Sequence, residues 1–207
     1  MRARTLALTS TGLALAVVLT ACGTNDESST GGMGGMGESR SNSTSSASTA
    51  DAADVAFAQL MIAHHQQAIE MADLASKSAQ STQVKDLAAQ IKGAQGPEVE
   101  TMTQWLQEWE APMTMPSGDG DMGDMDMGGM GAAGMMSDAE MKMLATSRGA
   151  EFDQMWLQMM IAHHQGAITM AQQVLDTTNT AEVTALAEDV VQAQQVEIET
   201  MQQLLTQ

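Results

Sequence analysis

The chain has four histidines, and they come as two adjacent pairs, each preceded by a methionine three residues upstream: Met61-x-x-His64-His65 and Met160-x-x-His163-His164. Imidazole nitrogen suits Cu, Zn, Fe and Ni, and a thioether beside it biases the set toward soft ions, Cu(I) or Ag(I) before Zn or Mg. At about 100° per residue, Phe57, Met61, His64, His65, Ala68, Met71 and Ala72 share one arc of a helix, with Met61 near its centre and Glu70 pointing away. A second stripe of Val84, Leu87, Ile91, Ala94, Glu98, Met102 and Trp105 places a carboxylate on an otherwise inward face. A carboxylate there is costly unless paired, and a histidine on the facing helix is the natural partner.

These residues recur. Residues 54–106 align without a gap on residues 153–205, with about 23 of 53 positions identical, which marks an internal duplication. His163, His164, Met160, Met170, Glu197 and Met201 repeat His64, His65, Met61, Met71, Glu98 and Met102. The second copy of the inward stripe reads Val183, Leu186, Val190, Ala193, Glu197, Met201 and Leu204. One inward histidine is usually a hydrogen-bonded core residue and a methionine stripe is usually packing. Recurrence of the whole set favours shared chemistry, although duplication preserves packing too.

The elements that must position these side chains are helices. Helical pattern runs from Asp51 to about Trp109, ends at Pro112 and Pro116, and returns at Ser137-Asp138-Ala139-Glu140, a capping-box run. Each copy splits into two helices, at Ser78 to Thr82 and at Thr177 to Ala181. Two such hairpins predict an all-α four-helix bundle, with a short extra helix near residues 138–146. Pro97, where copy two has Val196, is expected to kink or restart its helix.

Between the hairpins, residues 112–136 form a Gly, Asp and Met tract that includes Met122, Met125, Met127 and Met130. Thioethers stay available in oxidising surroundings, so this tract reads as a further soft-ion binder, with a low-complexity linker or a scavenger of oxidants as the alternatives. The chain has 21 Met, no Tyr and a net charge of −18, with 8 basic residues against 26 acidic ones. That field attracts cations and argues against nucleic acid and anionic lipid head groups as partners.

The N-terminus has a basic start (Arg2, Arg4) and an apolar run from Leu6 to Leu19, too short for a comfortable membrane span. Leu19-Thr20-Ala21-Cys22 resembles a bacterial lipobox, which implies cleavage before Cys22, lipidation of that residue and a cell-membrane, extracytoplasmic location. With its one cysteine acylated, the chain would bind metal through His, Met and carboxylates. The expected organisation is a signal peptide over 1–21, a flexible tether over 22–50 and a duplicated domain over 51–207. Within the domain, the first hairpin covers 51–111, the tract 112–136 and the second hairpin 137–207.

The blocks Phe57-Ala-Gln-Leu-Met-Ile-Ala-His-His-Gln-Gln-Ala-Ile-Glu-Met-Ala72 and Phe152-Asp-Gln-Met-Trp-Leu-Gln-Met-Met-Ile-Ala-His-His-Gln-Gly-Ala-Ile-Thr-Met-Ala171 resemble the signature of the domain of unknown function 305 family. The resemblance implies a ferritin-like four-helix bundle, commonly exported, with members linked to copper binding and tolerance. Its motif falls on Met61, His64, His65 and Met71, and on Met160, His163, His164 and Met170. Ferritin-like di-iron enzymes use Glu-x-x-His, and here Met61 and Met160 occupy the Glu position, which argues against oxygen activation.

The leading expectation is a lipid-anchored copper-binding protein that buffers or sequesters copper, Cu(I) ahead of Cu(II), with Ag(I) or Zn as other ions the donors could take. Two alternatives are a ferritin-like metal-dependent oxidoreductase and a metal-free structural or partner-binding bundle. The sequence leaves protein partners and oligomeric state open.

Overall fold

The computed structural model describes residues 51–114 and 134–207. Cys22, Met122, Met125, Met127 and Met130 lie outside the described residues. Five helices follow in order: α1 (Ala52–Ser78), α2 (Thr82–Glu108), α3 (Asp138–Thr146), α4 (Gly149–Leu175) and α5 (Ala181–Leu205). Polar residues set the helix starts. Asp51 accepts from the backbone N–H groups of Ala53 and Asp54, and Ser81 caps α2. Ser137 and Glu140 form the expected capping box of α3. α2 runs unbroken through Pro97, so this proline does not restart the helix.

α1 and α2 form one antiparallel hairpin, α4 and α5 the other, and α1 packs along α4. The core divides into two clusters that interleave the repeats. One joins Phe57, Met61, Met102 and Leu106 of the first copy to Ala167, Met170, Val183 and Val190 of the second. The other joins Ala68, Met71, Leu87 and Ile91 to Trp156, Met160, Ile198 and Met201. Each cluster holds the early part of one repeat's first helix and the late part of the other's, as antiparallel packing of α1 on α4 requires.

Hydrogen bonds lock the hairpins to one another. Asp153 accepts from the backbone N–H groups of Gln80 at 3.0 Å and Ser81 at 2.8 Å, in the turn between α1 and α2. Its repeat mate Asp54, 1 % exposed, accepts from the Thr180 hydroxyl at 2.5 Å in the turn between α4 and α5. Trp156, fully buried, donates its indole N–H to the Met71 carbonyl at 2.9 Å.

α3 sits against α1 and α4 and buries Leu144 in the second core cluster. The chain entering it is fastened by the Gln67 amide, which donates to the Met136 carbonyl at 2.9 Å and accepts from the Met136 N–H at 2.7 Å. Gly134, at φ +74°, lies so close to α4 that a Cβ there would stand 2.5 Å from the Ala162 carbonyl oxygen and 3.1 Å from the Gly166 Cα. Gln67 and Gly166 occupy the same repeat position. Their divergence follows from this one strap, which one repeat grips with an amide and the other admits by having no side chain.

Candidate metal centre

The two first helices cross at their histidines. The His64 and His163 rings lie 3.6 Å apart, centroid to centroid, and tilted by 36°, with the His65 ring 6.5 Å from His64. All four histidines are at most 1 % exposed. They form a polar layer between the two hydrophobic clusters.

Each outer histidine is held by a glutamate of its own hairpin. His65 donates from Nε2 to Glu98 Oε2 at 2.7 Å, and His164 from Nε2 to Glu197 Oε2 at 2.8 Å. The carboxylates sit at the bundle surface, 21 % and 18 % exposed, while both rings are fully enclosed. In a neutral imidazole this bond puts the proton on Nε2 and leaves Nδ1 a bare lone pair. Nδ1 of both rings is buried with no hydrogen-bond partner among the described residues. A carboxylate outside and an open nitrogen inside is the way metal-ligating histidines are oriented.

Neither ring nitrogen of His163 has a hydrogen-bond partner among the described residues. Burial pushes its pKa well below the ordinary 6.5, and the neighbouring His64, His164 and His65 push it further down. It is therefore neutral at physiological pH, the state that ligates.

The thioethers fall into two sets by distance along the helix. Met61 and Met160 precede His64 and His163 by three residues, ~4.5 Å along the axis. The antiparallel hairpins bring Met102 and Met201 to the same levels, and all four are fully buried. Met71 and Met170 are also buried, but lie seven residues beyond His64 and His163, ~10 Å along the axis. Among the described residues no three His, Cys, Asp or Glu side chains are arranged to hold an ion. The buried methionines at the neighbouring levels bring thioether sulfur close to the imidazole nitrogens of this layer.

The inward stripes differ from the expected ones at one turn of each repeat. Ala94 and Ala193 are exposed, while Gln95 and Gln194 are buried, each 3 % exposed with an amide oxygen that has no partner among the described residues. The helical period carries the stripe from Ile91 to Gln95 in a four-residue step, where a three-residue step was expected. Both glutamines were there to be found, because they match between the repeats and precede the paired glutamates by three residues.

A duplicated all-α bundle with a buried histidine layer is thus the class of molecule. The model of the domain of unknown function DUF305 matches residues 54–205, and the chain belongs to that family. Among solved structures it is similar to a candidate secreted DUF305 protein from Streptomyces coelicolor, with 34% identity, 74% of this chain and 92% of that one covered, and a TM-score of 0.68. A DUF305 fragment from Deinococcus radiodurans has 32% identity, coverage of 76% and 97%, and a TM-score of 0.65. CopM in its Cu(I)-bound form has 30% identity, coverage of 74% and 95%, and a TM-score of 0.61. CopM has also been solved with Cu(II) and with Ag. No curated protein matches the chain.

Proposed function

We propose that this protein binds copper outside the cytoplasm and buffers or sequesters it as Cu(I) and Cu(II), with the ion as cargo. The observation that carries the reading is the pair of enclosed imidazoles, His65 and His164, each tied through Nε2 to a glutamate and each presenting an unpaired Nδ1 to the interior. Met61, Met102, Met160 and Met201 lie within about one helical turn of the histidine layer and supply the soft donors that favour Cu(I) and Ag(I). The copper and silver forms of CopM support the same reading.

Among the described residues no helix is long and apolar enough to cross a membrane. Residence at the membrane therefore rests on the lipobox-like Leu19-Thr20-Ala21-Cys22, with Cys22 as the lipidated residue. The Met122, Met125, Met127 and Met130 thioethers add soft-ion capacity between the hairpins. We read the centre as a binding site and not an enzyme, because Met stands where di-iron centres place the Glu of Glu-x-x-His.

Competition titration with a Cu(I) chelator tests this on the intact chain and on a variant with all four histidines replaced by leucine. The wild type should retain copper that the variant releases. Equal retention by the two would refute a histidine centre.

A further inference from the structure

Gln95 and Gln194 are buried polar groups that the histidine–glutamate pairs do not use. Each is 3 % exposed, each leaves its Oε1 without a hydrogen-bond partner among the described residues, and each stands at the same place in its repeat. A buried amide oxygen left unpaired is destabilising, and two at matched positions call for an explanation. Packing gives none, since an apolar side chain of the same size would fill the space without that cost.

The helix register shows what surrounds them. Glu98 faces His65. In an antiparallel hairpin, three residues back along α2 is level with three residues on along α1, so Gln95 lies level with Ala68. The same step places Gln194 level with Ala167. Both alanines are fully buried and carry the smallest side chain after glycine. α1 and α4 cross at His64 and His163 and run antiparallel, so the Ala167 level of one repeat is also the Met61 and Met102 level of the other. The core clusters agree, for Ala167 packs with Met61 and Met102, and Ala68 with Met160 and Met201. On each side of the histidine layer, then, two buried methionines of one repeat share a level with a buried glutamine of the other, whose amide oxygen has no hydrogen-bond partner among the described residues.

We propose that Gln95 and Gln194 are ion-binding residues, each lending its amide oxygen to an ion held between the histidine layer and the other repeat's methionine pair. The proposal rests on the copper-binding reading and extends it to two matched half-sites per chain, each with hard and soft donors. Oxygen and imidazole nitrogen serve Cu(II), and thioether with imidazole serves Cu(I), so the glutamines set the preference for the oxidised ion.

Near-isosteric substitutions test it: Gln95→Met, Gln194→Met and the double variant, titrated separately with Cu(II) and with Ag(I) as a redox-inert stand-in for Cu(I). Each single variant should weaken one of two Cu(II) equivalents by about tenfold or more, and the double variant both. Ag(I) uptake should be undiminished, and the ion-free melting temperature unchanged or raised. Undiminished Cu(II) binding in the double variant overturns the proposal. So does a parallel loss of Cu(II) and Ag(I) with a lowered melting temperature, which would make the glutamines packing residues. If the wild type takes up neither ion, the copper reading itself has failed, an outcome distinct from failure of the glutamines alone.

Discussion

Replacing Glu98 separates the orienting role of the carboxylate from its contribution to folding. In Glu98→Leu the fully enclosed His65 loses the acceptor for Nε2–H, and its Nδ1 already has no partner among the described residues. Leaving that donor unsatisfied should cost about 1–3 kcal/mol of stability. The ring would also be free to rotate or change tautomer, which should weaken metal binding by about 10–100-fold, or ~1.4–2.7 kcal/mol. Glu98→Gln keeps an acceptor at the same reach but offers a donor as well, so either tautomer is satisfied. Its stability should stay close to wild type while its Ag(I) affinity still falls about tenfold. Urea unfolding of the ion-free protein and Ag(I) competition titration give the two quantities independently. Wild-type affinity in both variants would refute the reasoning that the glutamate fixes an imidazole for metal. Equal loss of stability in Glu98→Gln and Glu98→Leu would refute the tautomer argument.

Three other outcomes follow from the same geometry. His163 has a folded-state pKa well below its ordinary 6.5, so below pH 6.5 the unfolded chain binds a proton that the folded chain refuses. Stability of the ion-free protein should therefore fall as pH drops below 6.5, levelling off only beneath the folded-state pKa, and His163→Leu should flatten that dependence in pH-resolved urea melts. Asp153→Ala removes the acceptor for two backbone N–H groups in the α1–α2 turn and should cost about 0.5–2 kcal/mol by denaturant titration. Gly134→Ala puts a Cβ 2.5 Å from the Ala162 carbonyl oxygen. It should release the strap from α4, seen as faster amide hydrogen exchange at Met136, whose N–H is otherwise held by Gln67.

The parts of the fold legible in the sequence are those governed by local period and repetition. The four long helices, their turns and the α3 capping box follow from apolar spacing and a Ser-x-x-Glu run, and the burial of both histidine pairs follows from their arc. The pairing of Glu98 with His65 was legible because a carboxylate on an inward stripe needs a partner. The place where the stripe moves to Gln95 was not, because a glutamine beside Ala94 reads as a solvated residue until the period is followed turn by turn. The strap at Gly134 was equally hidden. It depends on contacts from residue 134 to residues 162–166 and from residue 136 to residue 67, and no local pattern encodes them. Pro97 does not restart α2 for a related reason, since its effect on one turn does not decide whether the remaining turns stay continuous.

X-ray absorption spectroscopy of the protein loaded with one equivalent of Cu(I) reads the donors of the histidine layer without an intermediary. The spectrum should show both imidazole nitrogen and thioether sulfur bound to the ion, with the nitrogen lost when His64, His65, His163 and His164 are all replaced by leucine. A spectrum unchanged by those four substitutions, or a shell of light donors alone in the wild type, would contradict the proposed centre.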